Sequence, residues 1–152
     1  MFCRSFGVSA LGLAASSIAV CTAVAAPGPA GPVEISRPWA APAALGADTS
    51  VMFQMQNSGT VRDDLILAAC ATAESAELVG PSSNGGPPMH LTQVGLGPGQ
   101  NVALTPEGVH LVLHHMQQAA RVGDTLHCTA TFGKSGERIF EAAVAPTEPP
   151  VP

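Results

Sequence analysis

Positive charge is scarce in this chain of 152 residues: six Lys and Arg stand against eleven Asp and Glu. One of the six, Arg4, lies in a leading segment that reads as removable, so no basic patch remains. Nucleic acid and anionic membrane surfaces are therefore poor partners. Charged residues of either sign make up only 11% of the chain, while Gly (16) and Pro (14) are abundant. That composition favours short strands joined by turns over long helices. Signatures of catalysis are missing as well. There is no G-x-S-x-G elbow, no H-E-x-x-H helix and no phosphate-cradling glycine loop. No C-x-x-C redox pair occurs, and no Cys/His arrangement reads as an activated nucleophile. The expectation is a protein that is not an enzyme.

The N-terminus carries a targeting signal. "MFCRSFG" supplies one positive charge, an uncharged run of small and apolar residues follows, and "AVA" ends at Ala25 in the small-x-small pattern of a cleavage site. The run is too short and too poorly flanked for a membrane span. Residues 1–25 are read as a signal peptide, which implies a periplasmic or secreted product. "IAVC" offers an alternative, cleavage before a lipidated Cys21, and membrane anchoring is expected only in that case. Cys70 and Cys128 remain after cleavage. In an oxidising compartment such a pair suggests a disulfide, with two buried free thiols as the alternative.

Residues 26–36 read as a Pro/Gly linker with a candidate first strand at Val33–Ile35, 37–145 as one domain, and 146–152 as a disordered Pro-rich tail. "SVMFQMQNSG" alternates, with Val51, Phe53 and Met55 on one face and Met52, Gln54 and Gln56 on the other. Met52 and Met55 are read as packing residues, and the single tryptophan, Trp39, as a core anchor. "DDLILAACA" is continuously apolar and reads as a strand buried on both faces, entered through a solvated Asp63–Asp64 turn. "GDTLHCTATFGKSGERIFEAAVAP" reads as a hairpin turning at Gly133–Gly136, with His127 structural. "ATAESAEL" and "MQQAARVG" are the only segments that fit helical turns. Seven to nine short strands result, and an all-β antiparallel sandwich with Greek-key connections is expected.

"GVHLVLHHM" concentrates three of the five histidines. Period two places His110, Val112 and His114 on one face. At about 3.3 Å per residue, His110 and His114 are about 13 Å apart along the strand, too far to share an ion. A site using His110 needs ligands from elsewhere, and the nearest candidates are Met89 and His90. Thioether with imidazole selects Cu(I) over hard, oxygen-loving ions, whereas a structural zinc site wants Cys or more closely spaced His.

A Trp near the mature start, then "SVMFQMQNSGTVRDDLILAACATAESAELV", "LGPGQNVALTPEGVHLVL" and "VGDTLHCTATFGKSGE", together resemble the periplasmic copper chaperones of the PCu(A)C type. The resemblance runs from Arg37 to Val144. It implies a cupredoxin-like β-sandwich that binds Cu(I) and passes it to a copper-accepting protein of cytochrome oxidase assembly. The family's ligands are a His, a Met after ten intervening residues, and a His-x-Met after twenty-one more. By this resemblance His110 is the third ligand, and Met89 is the second if one residue is deleted. Valine stands at the other two places, Val79 and Val112, and His90 is the candidate substitute. The leading expectation is an exported Cu(I) carrier with a partly lost site held by Met89, His110 and His90. The alternative is a copper-free binding or scaffold module on the same fold.

Overall fold

The computed structural model describes residues 32–149, so the expected signal peptide, residues 1–25, and Cys21 lie outside the described residues. Ten strands follow in order: β1 (Val33–Ala40), β2 (Thr49–Asn57), β3 (Asp63–Cys70), β4 (Ala73–Gly80), β5 (Met89–Leu91), β6 (Val94–Leu96), β7 (Asn101–Ala103), β8 (His110–Met116), β9 (Thr125–Phe132) and β10 (Gly136–Val144). No helix occurs among the described residues. "ATAESAEL" is not a helical turn: its strand β4 pairs with β5 on one side and β8 on the other, and this tertiary pairing overrides local propensity. "MQQAARVG" forms bends and an isolated bridge between Ala43 and Ala120.

The strands lie in the order β5-β4-β8-β2-β1-β10-β9-β3-β6, with β7 added to β2. The expected all-β, cupredoxin-like sandwich is present, with one departure. The pair β1–β10 is parallel, because the last strand lies beside the first in the same direction. The nearly closed sheet doubles over, so that β3 touches β4 and β8 although neither is its sheet neighbour. Between the layers lies a core that includes Val51, Phe53, Met55, Leu65, Leu111, Leu113 and Phe140. Within it, the Phe53 and Phe140 rings pack with centroids 5.0 Å apart. Cys70 and Cys128 face each other in the β3–β9 register and form a disulfide across 58 residues. Closing a loop of that length stabilises by about 4 kcal/mol in the chain-entropy account.

Two bulges re-aim side chains. The β3–β9 register slips by one residue between Leu65 and Leu67. This turns Ile66 (49% exposed) and Leu67 (51%) to the outside, so β3 is not buried on both faces as its apolar run suggests. In β1, Ser36 pairs with Gln54 but Trp39 pairs with Met52, and Arg37 takes the slip in a left-handed conformation (φ 52°). Without the slip Trp39 would share the core face of Val51. With it, Trp39 is buried on the opposite face and stands outside the core cluster. Glu148, in the segment expected to be a free tail, pairs with Arg37 at 2.6 Å.

The Asp63–Asp64 turn is half as expected. Asp64 is at the surface with Arg62, but Asp63 is buried. Its carboxylate accepts the backbone N–H groups of Asp64, Lys134 and Ser135, each at 2.8 Å, and so ties the β9–β10 turn to the start of β3. Burial raises the Asp63 pKa, and these donors outweigh it, holding the carboxyl below its ordinary value. Its stabilisation is therefore present above the unfolded carboxylate range and is lost as pH falls through the lowered folded value. Asp63→Asn is expected to lower stability at neutral pH by about 1–3 kcal/mol in urea denaturation, with the difference shrinking in acid. An unchanged midpoint at neutral pH would contradict this role.

Candidate metal centre

The core takes Leu111 and Leu113 of β8, which forces His110, Val112 and His114 onto the outer face. The neighbouring strands obey the same alternation. In β4, Leu78 enters the core, so Val79 and Glu77 face outward. Val79 is the centre of the arrangement: it pairs with His110 on one side and with His90 on the other. Directly paired residues share a face. The two imidazoles therefore flank the valine that stands at the family's first ligand position.

One ring nitrogen of each histidine lies near an oxygen, and only that of His110 is hydrogen-bonded. His110 Nδ1 lies 3.1 Å from the Gly108 carbonyl, which fixes Nδ1 as the N–H donor and leaves Nε2 with its lone pair. His90 Nδ1 lies 3.4 Å from Glu77 Oε2. Among the described residues neither Nε2 has a hydrogen-bond partner. His110 is partly buried, whereas His90 is exposed.

Met89 lies elsewhere. It pairs with Gly80 at the start of β5, one residue before His90, and alternation turns it to the opposite face. It is 48% exposed. In this register Met89 falls opposite Gly80, on the other face of β5 from His90. Val112 pairs with Glu77 and Ser50, two residues along β8 from His110, and adds only an apolar surface there.

His114 has a different environment. Its Nδ1 is 2.9 Å from Asp48 Oδ2 and its Nε2 is 3.1 Å from Glu77 Oε1. Two carboxylates on two ring nitrogens favour the imidazolium, in which both nitrogens donate. The hydrogen bond to Asp48, then that to Glu77, raises the His114 pKa against the opposing effect of burial. Asp48 is lowered, first by the N–H of His115 and then by His114. His115 is in a left-handed conformation (φ 51°) and donates that N–H to Asp48 Oδ1 at 3.0 Å. With both nitrogens engaged, His114 has no lone pair for a metal. His127 lies at the surface, 3.4 Å from Glu141. Among the described residues no three His, Cys, Asp or Glu side chains converge on one point.

Because the folded pKa of His114 is raised, its contribution is complete below the unfolded value of about 6.5 and fades as pH rises through the folded value. His114→Gln is therefore expected to lower the melting temperature between about pH 5 and 6.5 and to converge with the parent near pH 9. Equal melting temperatures at pH 6 would contradict the ion-paired imidazolium.

The fold has counterparts. The apo PCuAC domain from PmoF1 superposes with a TM-score of 0.67 at 27% identity, over 76% of this chain and 95% of that one. The copper-bound PCuAC domain from PmoF2 gives 0.66 at 25% identity, over 76% and 93%. Apo-DR1885 from Deinococcus radiodurans, at 21% identity, shares the fold with a TM-score of 0.55 over 93% of this chain and 97% of that one. The search of curated proteins finds no match. The LpqE-like family matches residues 33–144, nearly the whole described domain. The chain therefore belongs to the LpqE-like family and carries a PCuAC-type β-sandwich.

Proposed function

We propose that this chain is an exported carrier that binds Cu(I) and hands it to an acceptor, without turnover chemistry. The observation that carries the reading is the His90–Val79–His110 row on one face, with His110 Nδ1 hydrogen-bonded and the Nε2 atoms of both histidines without partners among the described residues. The similarity to a PCuAC domain that is itself copper-bound supports the metal. Two neutral imidazoles suit a borderline-to-soft cation, and a low coordination number leaves positions open for hand-over. His110 is the better-oriented ligand. His90 is the substitute imidazole for the family's first position, where Val79 cannot ligate. Delivery toward cytochrome oxidase assembly remains part of the proposal by analogy with the chaperones that the sequence resembles. Export through residues 1–25 is likewise proposed, with lipidation at Cys21 as the route to membrane anchoring.

A copper-free scaffold is the second reading, and Val79 with Val112 favours it. Anaerobic Cu(I) titration against a competing chelator separates the two. The carrier reading expects competition by the parent chain and about tenfold or greater weakening in His110→Ala and in His90→Ala. Met89→Leu is expected to leave affinity nearly unchanged. A parent chain that does not compete would establish the scaffold reading instead.

A further inference from the structure

Strand β4 is paired along its length on one side only. There β8 runs beside it between Ala73 and Val79. On the other side β5 covers Leu78, Val79 and Gly80, and the chain leaves β5 at Leu91 for β6. Among the described residues no strand lies beside Ala73–Glu77 on that side. Every second residue of such an edge turns its N–H and C=O toward the open side. Glu74 and Ser75 are exposed, so this edge is reachable from solvent.

The open edge borders a groove of about 280 Å³, lined by Ala76 and Glu77 of β4, Ile66 and Leu67 of β3, and His90 and Leu91 of β5. Ile66 and Leu67 give it an apolar wall, because the β3 bulge turns both outward. Free edges are commonly protected by charge, proline or a covering element. The charge on this edge has one sign: β4 carries Glu74 and Glu77, and no Lys or Arg lines the groove. Like charges oppose the pairing of this edge with the same edge of a second copy, whereas a basic strand is attracted.

We propose that this groove docks an extended, basic-and-apolar segment of the copper-accepting protein, which adds a strand to the free edge of β4. The identity of the partner rests on the carrier reading. Main-chain hydrogen bonds to the Ala73–Glu77 edge hold the segment, and its alternate residues meet two different surroundings. Apolar side chains on one face pack against Ile66 and Leu67. Lysine or arginine on the other face meets the outward Glu77, with Glu74 near the end of the same edge. His90 lines the same groove. Docking thus brings the acceptor beside one of the two proposed ligands, on the side where the site is exposed.

Amide and methyl NMR of the copper-free full chain, titrated with a synthetic peptide of alternating lysine and valine, tests this. The amides of Ala73–Glu77 and the methyls of Ile66 and Leu67 are expected to shift and saturate. Glutamate in place of the peptide's lysines, or N-methylation of its backbone, is expected to abolish the shifts. Leu67→Lys is expected to weaken docking about tenfold and Glu74→Lys about threefold, both with Cu(I) affinity unchanged. Should a variant fail to fold, the N-methylated peptide decides, because it alters only the ligand. Edge amides that stay fixed, or equal docking by the glutamate peptide, would overturn the proposal. Shifts of the same amides on concentrating the chain alone would assign the edge to a second copy and overturn it too. Cu(I) competition by the parent without peptide docking would overturn the proposal and leave the carrier reading intact. Docking by a parent that does not compete for Cu(I) would keep the groove as a strand-docking site and overturn its assignment to a copper acceptor.

Discussion

Burial of Leu111 and Leu113 is the constraint on which the rest depends. A strand has two faces, and once these leucines enter the core His110, Val112 and His114 are committed to the outside, the alternation breaking only at the left-handed His115, after which Met116 turns inward. A slip of one residue would send His110, Val112 and His114 inward, where unpaired imidazoles are costly, and would expose the leucines. The same logic acts through Leu78 in β4 and through Val51 and Phe53 in β2. Hydrophobic packing on the inner face thus arranges the outer-face row, although no residue of that row contributes to the core.

The outer face is divided into two chemistries only a few residues apart. Toward one end His114 is held between Asp48 and Glu77 as an ion pair, with both nitrogens consumed. Toward the other, His110 and His90 each set one nitrogen near an oxygen and keep the second free. Glu77 belongs to both halves: one carboxylate oxygen meets His114 and the other meets His90.

Much of this was legible in the alternation of single strands. "GVHLVLHHM" and "SVMFQMQNSG" each declare their faces, and the length of the β8 segment was enough to separate His114 from His110. What was not legible depends on pairing between strands. Met89 and His90 are neighbours in sequence, and only the β4–β5 register shows that His90 lies beside Val79 and Met89 on the other face. Trp39 and Ile66 sit where bulges place them, and a bulge leaves no mark in hydrophobic periodicity. Asp63 looked solvated because its donors, Lys134 and Ser135, lie more than seventy residues away in the chain. The Cys70–Cys128 bridge likewise required the β3–β9 register to bring the two sulfurs together.

The central claim is that the histidines of this face are sorted by their hydrogen bonds into metal-competent and metal-excluded groups. Histidine-ring ¹⁵N NMR of the full chain during anaerobic Cu(I) addition tests it most directly. The Nε2 signals of His110 and His90 are predicted to shift together and saturate, with His114 and His127 unchanged. Signals that all stay fixed, or a shift led by His114, would contradict it.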